Sequence, residues 1–528
     1  MKVLVSDPIA EDGIKILKEA GLEVIIKTGL SKEELIEELK KGIEAIIIRS
    51  ATKVTADVIE AAPNLKVIAR AGTGLDNVDI DAANRKGIVV MNCPGGNTVS
   101  AAEHTIAMLM ALARNIPQAT ASMKAGKWEK KKFMGREVNG KTLGVIGVGR
   151  IGSIVADRAK GLKMRVIAYD PFVNPEQAAK IGIEVVSLDE LLAQADFITI
   201  HVPLTKETKG FISKEKFEKM KDGVMLIHCA RGGIVNEADL YEAMVSGKVA
   251  GAALDVFEQE PPPPDYPLFK LENFICTPHL GASTLEAQKN VALAVASQVV
   301  DYLIHGVVRN AVNMPSVSAE LLPTLKPYLK LAEKLGIIQA QLAEGPIQEV
   351  HIEYQGDVAN LDTKPLTVAL LKGLLTPALR EDVNYVNAPI RAKERGIKVT
   401  ESKVNTAEDF LNRIKVIVKY PKGENLVAGT IFGKKEPRIV QINDFRLDAI
   451  PEGHMLYLMN EDRPGVIGQI GITIGEHGLN ISRMHVGQDP AQQANIILLC
   501  VDKPVPQDLL EKLKTLPPVK LVKPLELS

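Results

Sequence analysis

Residues Lys141 to Asp170 read KTLGVIGVGRIGSIVADRAKGLKMRVIAYD, and the order of residue types in them decides the fold. Thr142 to Ile146 is a short apolar run with the length and β-branched content of a buried strand. It breaks at Gly147-Val148-Gly149-Arg150-Ile151-Gly152, the G-x-G-x-x-G spacing. Ser153 to Leu162 then carries apolar residues at helical spacing, and Met164 to Tyr169 reads as a second strand closed by Asp170. Strand, glycine turn, helix, strand and acid follow one another as in a βαβ unit.

Each part of that unit suits a dinucleotide. Gly147 permits a tight turn, Gly149 lets backbone approach a pyrophosphate, and Gly152 lets the helix pack closely on the strand. The helix start offers free N–H groups and partial positive charge to phosphate. Asp170, eighteen residues past Gly152, is placed to accept hydrogen bonds from the adenosine ribose hydroxyls. A carboxylate there repels a 2′-phosphate, so the expected cofactor is NAD rather than NADP.

Working outward, 528 residues are too many for one core and predict three or four domains. Sixty-four Lys and Arg balance 65 Asp and Glu, so no net field recruits nucleic acid or an anionic membrane. Cys93, Cys229, Cys276 and Cys500 have neither disulfide-scaffold nor zinc spacing, and no metal site is expected. The start MKVLVSDPIAEDG meets Asp7 before an apolar signal region forms, and no apolar run is long enough to span a membrane. A cytoplasmic location is the expectation.

Residues 1 to 97 alternate short apolar strands with amphipathic segments such as Glu11 to Ala20 and Lys32 to Lys41, which predicts a parallel sheet flanked by helices. Arg49-Ser50 and Arg70-Ala71-Gly72-Thr73-Gly74 fall at strand ends, where open α/β sheets collect ligands. Ser100 to Ala113 is a buried helix between domains, with His104 expected as a packed histidine. The α/β rhythm continues after Asp170, and the helix from Leu285 to Ile304 is predicted to return the chain to the first domain. The predicted units are 1–97 with 285–313, 98–284, 314–452 and 453–528.

Three segments after predicted strands have the residue types of a catalytic site: Cys229-Ala230-Arg231-Gly232-Gly233, Asp255 to Pro261, and Thr277-Pro278-His279-Leu280-Gly281. An arginine grips a carboxylate with its planar fork. A histidine exchanges a proton near neutral pH, and a glutamate orients it. Singly, Arg231 reads equally as a surface charge, Glu260 as a solvated loop acid and His279 as a structural histidine. Together, beside a dinucleotide site, they meet the needs of oxidising an alcohol next to a carboxylate.

The motifs GVIGVGRIG, HVPLT at His201 to Thr205, HCARGG, ALDVFEQEP and TPHLGAST resemble the D-isomer-specific 2-hydroxyacid dehydrogenases. RAGTGLDNVD at Arg70 to Asp79 and NCPGGNTVSAAEHT at Asn92 to Thr105 resemble its long-form, phosphoglycerate-oxidising branch. The resemblance implies a Rossmann-type NAD domain inserted in a flavodoxin-like substrate domain. It implies NAD-dependent oxidation of 3-phospho-D-glycerate to 3-phosphooxypyruvate at the entry to L-serine biosynthesis. By motif, Arg231 binds the substrate carboxylate, His279 takes the hydroxyl proton and Glu260 holds the imidazolium. Arg150 and Ile151 contact pyrophosphate. Asp255 faces the nicotinamide carboxamide. Thr73, Val202, Pro203, Cys229, Ala230, Gly281 and Ala282 line the cofactor, and Arg49, Arg70, Gly95, Gly96 and Asn97 hold substrate.

From Pro315 the texture changes to an intervening α/β segment resembling the proposed regulatory domain of long-form enzymes. Lys434, Lys435, Arg438 and Arg446 cluster there as an anion site or, twice as readily, a solvated face. His454 to Ser528 reads β-α-β-β-α-β and resembles an ACT domain, a ferredoxin-like effector module. The resemblance implies that Asn460 and Asp462, with Asn480 of a paired subunit, receive L-serine in a homo-oligomer, as a tetramer. Asn460 departs from the histidine of some serine-inhibited relatives. Two other readings stay open: another D-2-hydroxyacid dehydrogenase, acting on glyoxylate, lactate or erythronate-4-phosphate, and a NAD-sensing corepressor-like binding protein.

Overall fold

The computed structural model describes residues 1–315, 321–380, 383–407, 409–433, 435–489 and 494–527. Lys434 of the basic cluster lies outside the described residues.

The N-terminal strands are β1 (Lys2–Val5), β2 (Glu23–Ile26), β3 (Ile43–Ile48), β4 (Val67–Arg70) and β5 (Val89–Met91). All pair in parallel, in the order 2-1-3-4-5. Parallel strands buried on both faces need continuous apolar runs, and residues 45–48 of β3, AIII, are one. One face is covered by Leu35, Leu39, Val58, Ile59 and Ala82 of its own crossover helices. The other is covered from a distance in sequence, by Val291, Val295, Ala296 and Val299 of the helix Leu285–His305 packed on Val3 and Val5. That helix lies so close to Glu11–Glu19 that a Cβ at Gly13 would collide with the Ala292 carbonyl. The chain then runs on along the sheet edge: Met91 bridges Ala311, and the Asn313 side chain accepts from Val90 N at 2.9 Å and donates to Ile88 O at 2.8 Å.

The second sheet holds β6 (Thr142–Ile146), β7 (Arg165–Tyr169), β8 (Glu184–Val185), β9 (Phe197–Ile200), β10 (Val224–His228), β11 (Val249–Leu254) and β12 (Phe274–Cys276). Its order, 12-11-10-9-6-7-8, is parallel throughout and reverses between β6 and β9. That reversal point, outside the carboxyl ends of the strands, is where doubly wound sheets hold ligands. The helix Thr98–Ala113, two residues longer at its start than its apolar spacing predicts, carries the chain between the sheets and buries Met108, Leu109 and Leu112 on the second.

Beyond residue 320, strands β13 (Glu349–Gly356), β14 (Lys398–Val404), β15 (Asn412–Tyr420), β16 (Gly423–Phe432), β17 (Glu436–Ile442) and β18 (Phe445–Ala449) form a mixed sheet, order 14-13-15-16-17-18. The helices Leu322–Leu342 and Lys364–Leu379 cross at two glycines: a Cβ on Gly336 would strike the Leu370 carbonyl, and one on Gly373 the Glu333 carbonyl. Strands β19 (Gly453–Glu461), β20 (Ile481–Asp489), β21 (Ala494–Val501) and β22 (Val519–Leu527) form an antiparallel sheet, order 20-21-19-22. With the helices Val466–Glu476 and Gln507–Lys514 this is the βαββαβ pattern. Its second face is not free. Met455, Tyr457, Ile496, Leu498 and Leu525 share one apolar core with Leu325, Leu331 and Leu335. The Gln341 side chain also bonds both backbone groups of Glu526, donating to its carbonyl at 3.0 Å and accepting from its N–H at 2.8 Å, which covers the outer strand.

Candidate active site

The glycine turn follows β6 at the reversal point. Gly147 has φ +94°, left-handed backbone that a side chain resists, and a Cβ there would also press on the His201 carbonyl and Val202 of the neighbouring strand end. A Cβ on Gly152 would collide with the Gly147 carbonyl, so helix Arg150–Gly161 and strand touch through bare backbone. Gly149 faces open space at the helix start. Asp170 reaches back to this turn, accepting from Val148 N at 2.8 Å and from Phe172 N at 2.9 Å. An open helix N-terminus beside a fixed carboxylate fits a dinucleotide. Val202 and Pro203 follow β9 across the turn, and Ile151 packs on the Val145 side of the sheet.

His279, Glu260 and Arg231 follow β12, β11 and β10. Glu260 Oε2 lies 2.8 Å from His279 Nδ1, and its Oε1 accepts from Phe257 N at 3.1 Å. The carboxylate therefore fixes one ring nitrogen and leaves Nε2 for chemistry. Burial raises the Glu260 carboxyl, but the bond and charge of His279 outweigh it and hold it below the usual carboxylate range. His279 itself stands at φ +54°, uncommon for a side chain. Asp255 secures that bend. It is 1 % exposed and accepts from Thr277 Oγ1 at 2.6 Å, Leu280 N at 2.7 Å and Gly281 N at 2.9 Å, while its own carbonyl accepts from His279 N at 3.0 Å. Both Asp255 oxygens are thus engaged by the loop that carries His279. Ser100 ties Gly281 to the connecting helix by donating to its carbonyl at 2.8 Å, and Ala282 follows, half-buried.

His104, expected as a packed histidine, instead places Nε2 3.2 Å from Asp255 Oδ1 and 3.1 Å from Thr277 Oγ1. Burial raises the Asp255 carboxyl, and the bonds from His104 and Thr277 more than offset that, leaving it below its ordinary value. Nothing in the sequence near His104 signals this partner, because Thr277 lies 173 residues away.

The first sheet contributes the arginines. Arg70 is largely buried, its Nε without a hydrogen-bond partner; burial and the charge of Arg231 hold its guanidinium below the usual range. Arg49 donates its backbone N–H to Asp7 at 2.6 Å, and Asn77 pins the same loop by donating to the carbonyls of Arg49 and Thr52. No local sequence pattern marks Asp7 or Asn77 for this task. Thr73 donates to Asn97 at 2.8 Å, joining the arginine loop to the turn Gly95-Gly96-Asn97. Gly95 lies near the Arg150 guanidinium, and Gly96 rests against Val291. Gly74 approaches the Arg231 guanidinium and Gly95 that of Arg150, so the strand ends of the two parallel sheets border one cleft.

Behind the site the chemistry is quiet. Burial pushes the Cys229 thiol up to about 12 and Cys93 up to about 11, so neither is a ready thiolate. Ala230 supplies a carbonyl that accepts from Arg231 Nη1 at 2.7 Å. Burial pushes His201 down to about 3 and His228 down to about 4, so both are neutral. His228 Nε2 sits 2.7 Å from the Arg231 carbonyl, bracing the backbone of that arginine.

The three expected effector residues do not meet within one chain. Asn460 pairs with Asn495 across strands, and Asn495 with Gln488, forming one row. Asp462 joins that row, accepting from Asn495 Nδ2 at 3.2 Å; it does not cap the following helix, whose first turn starts after Gly465 without a side-chain cap. Asn495, absent from the expected set, is 3 % exposed. Asn480 precedes the opposite row, His454–Val501–Ile481, about 20 Å away at six strand residues. Of the basic cluster, Arg438 is paired with Glu436 and Asp448, and Arg446 with Asp409.

A doubly wound sheet with a glycine turn at its reversal point, and an arginine and a glutamate–histidine pair on neighbouring strand ends, is the arrangement of a D-2-hydroxyacid dehydrogenase. Residues 106–281 match the D-isomer specific 2-hydroxyacid dehydrogenase NAD-binding domain. Residues 324–443 match the D-3-phosphoglycerate dehydrogenase intervening domain, and 454–518 the ACT domain. The chain is 51 % identical to D-3-phosphoglycerate dehydrogenase of Archaeoglobus fulgidus, over 98 % of each chain. It is 43 % identical to that of Bacillus subtilis, over 100 % of this chain and 99 % of the relative. Among solved structures, D-lactate dehydrogenase of Aquifex aeolicus complexed with NAD and lactic acid aligns with TM-score 0.52 at 33 % identity, over 60 % of this chain and all of that one. The chain belongs to the D-3-phosphoglycerate dehydrogenase family of NAD-dependent oxidoreductases.

Proposed function

We propose that the chain oxidises 3-phospho-D-glycerate to 3-phosphooxypyruvate, the first step of L-serine biosynthesis, as a cytoplasmic homotetramer restrained by L-serine. The observation that carries the chemistry is the 2.8 Å Glu260–His279 contact on the strand end beside that of Arg231. Arg231 grips the substrate carboxylate with its planar fork. His279 Nε2 takes the proton from the C2 hydroxyl, and Glu260 at Nδ1 stabilises the imidazolium that forms. NAD, when bound, supplies the hydride acceptor. Gly147 to Gly152 and Asp170 would hold its pyrophosphate and ribose, while Asp255, buried with both oxygens engaged, fixes the His279 loop beside it. Arg49 and Arg70, with the backbone of Gly95 to Asn97, hold the substrate phosphate.

For regulation, the row Asn460, Asp462 and Asn495 forms half of a serine site, completed by Asn480 of a second subunit. The units 1–97 with 285–313, 98–284, 314–452 and 453–528 divide these tasks. Initial-rate NAD reduction with 3-phosphoglycerate, product trapped, with and without millimolar L-serine, tests the whole reading. Turnover suppressed by serine is the expected result. Turnover indifferent to serine removes the effector site, and no turnover redirects the assignment to other 2-hydroxy acids.

A further inference from the structure

Arg231 belongs to the second sheet, yet its partner is in the first. Its Nε lies 3.3 Å from Asp76 Oδ2, across the cleft. Nη1 is committed to the Ala230 carbonyl at 2.7 Å. The Nε and Nη2 edge is therefore the one that can receive a carboxylate side-on. A Cβ on Gly74 would collide with Nη2 and sit 3.0 Å from the Asp76 carboxylate, so both charged groups rest on bare backbone at that glycine. The pair is built into the loop Arg70 to Asp79 rather than made by a stray surface chain. Asp76 is 69 % exposed and Arg231 31 %, so the contact is open to exchange.

From this we propose that Asp76 is a resident placeholder: its carboxylate occupies the guanidinium edge of Arg231 that the carboxylate of an incoming acid has to take, and binding displaces it. The inference rests on the reading of Arg231 as the carboxylate holder. Asp76 also neutralises part of an arginine group, since Arg70 feels the charges of Arg231, Arg49, Asp76 and Asp7. Before the acid binds it holds Arg231 towards the first sheet, and it is the group that retakes the arginine when product leaves. An exchange of one exposed ion pair for another is a modest effect, about two- to fivefold in affinity.

The test uses the full-length protein with NADH bound and two probes, oxalate for the arginine edge and inorganic phosphate for the Arg49 and Arg70 region, each titrated by calorimetry. Asp76→Asn is expected to tighten oxalate about two- to fivefold and phosphate by less than half that factor, while Asp76→Glu binds oxalate as the unsubstituted protein does. Oxalate binding that is unchanged or weaker in Asp76→Asn overturns the proposal, the latter by making Asp76 a positioning residue. Equal tightening of both probes overturns it as well, because a general field effect does not distinguish them. If Arg231→Gln binds oxalate as tightly as the unsubstituted protein, the reading of Arg231 itself fails, and that failure is seen separately from the Asp76 result.

Discussion

At the scale of the residue, the proposed catalytic group is a chain of contacts rather than a set of side chains. Asp255 and Thr277 hold the bend at His279, His104 holds Asp255, and Glu260 holds the ring. His279→Ala is expected to lower kcat by about 100- to 10,000-fold, the range of general acid–base help, while the dissociation constant for NADH, read by fluorescence titration, stays within about twofold. Asp170→Ala is expected to raise kcat/KM with NADP relative to NAD, because the repelling carboxylate is gone; an unaltered ratio in paired initial-rate assays would remove the ribose contact. The placement of Arg231, Glu260 and His279 on neighbouring strand ends was legible in the sequence because each follows a predicted strand and only the three together meet one chemical need. His104, Asp76 and Asn77 were not, because their meaning lies in partners 151, 155 and 28 residues away, and no local pattern encodes that distance.

At the scale of the element, apolar periodicity located the strand–turn–helix–strand unit at the glycine motif, the long helices ending near Ala113 and Ile304 and the βαββαβ pattern after His454, since burial selects the same residues that the period marks; the short helices and most strands of the mixed sheet it left unplaced. Helix starts drifted by two residues at Thr98 and three at Arg150, where the glycine-rich turn before each conceals the start. What periodicity could not reveal is which elements touch. Gly336 and Gly373 lie in helices whose spacing is unremarkable, yet each rests on the other's backbone. Gly373→Ala is expected to force these helices apart and destabilise the protein by about 1–3 kcal/mol, against the roughly 1 kcal/mol that alanine would gain in an unpacked helix. Urea unfolding measures it. The strand-end histidines give a pH dependence. His201 and His228 are lowered to about 3 and about 4, so the unfolded chain binds their protons first and stability falls as pH drops below about 6.5. At pH 5 each contributes a loss of roughly 2 kcal/mol, at about 1.4 kcal/mol per pH unit. Unfolding midpoints at pH 7 and pH 5, with His201→Gln and His228→Asn reducing the difference, check the sign.

At the scale of the whole molecule, the four sheets are not four beads. The antiparallel sheet shares its core with helix Leu322–Leu342, a union invisible in a sequence that reads each half as a complete unit. With Asn460 and Asn480 at opposite ends of one sheet, a serine site needs two chains. Serine inhibition is therefore expected to fade on dilution below the dissociation constant of the assembly, while turnover per active chain persists; inhibition assays alongside mass photometry follow both. The helix Leu285–His305 carries a different consequence. It covers one face of the first sheet, yet it is synthesised long after that sheet's five strands. Between residue 97 and this helix the ribosome adds roughly 190 residues, about 10–40 s of translation at 5–20 residues per second. Throughout that interval Val3, Val5, Ala45 and Val67 have only Leu17 and Ile16 of the helix Glu11–Glu19 to cover that side. The nascent chain completes its second sheet before its first is fully covered, and the emerging N-terminus is the stretch a ribosome-associated chaperone would find open.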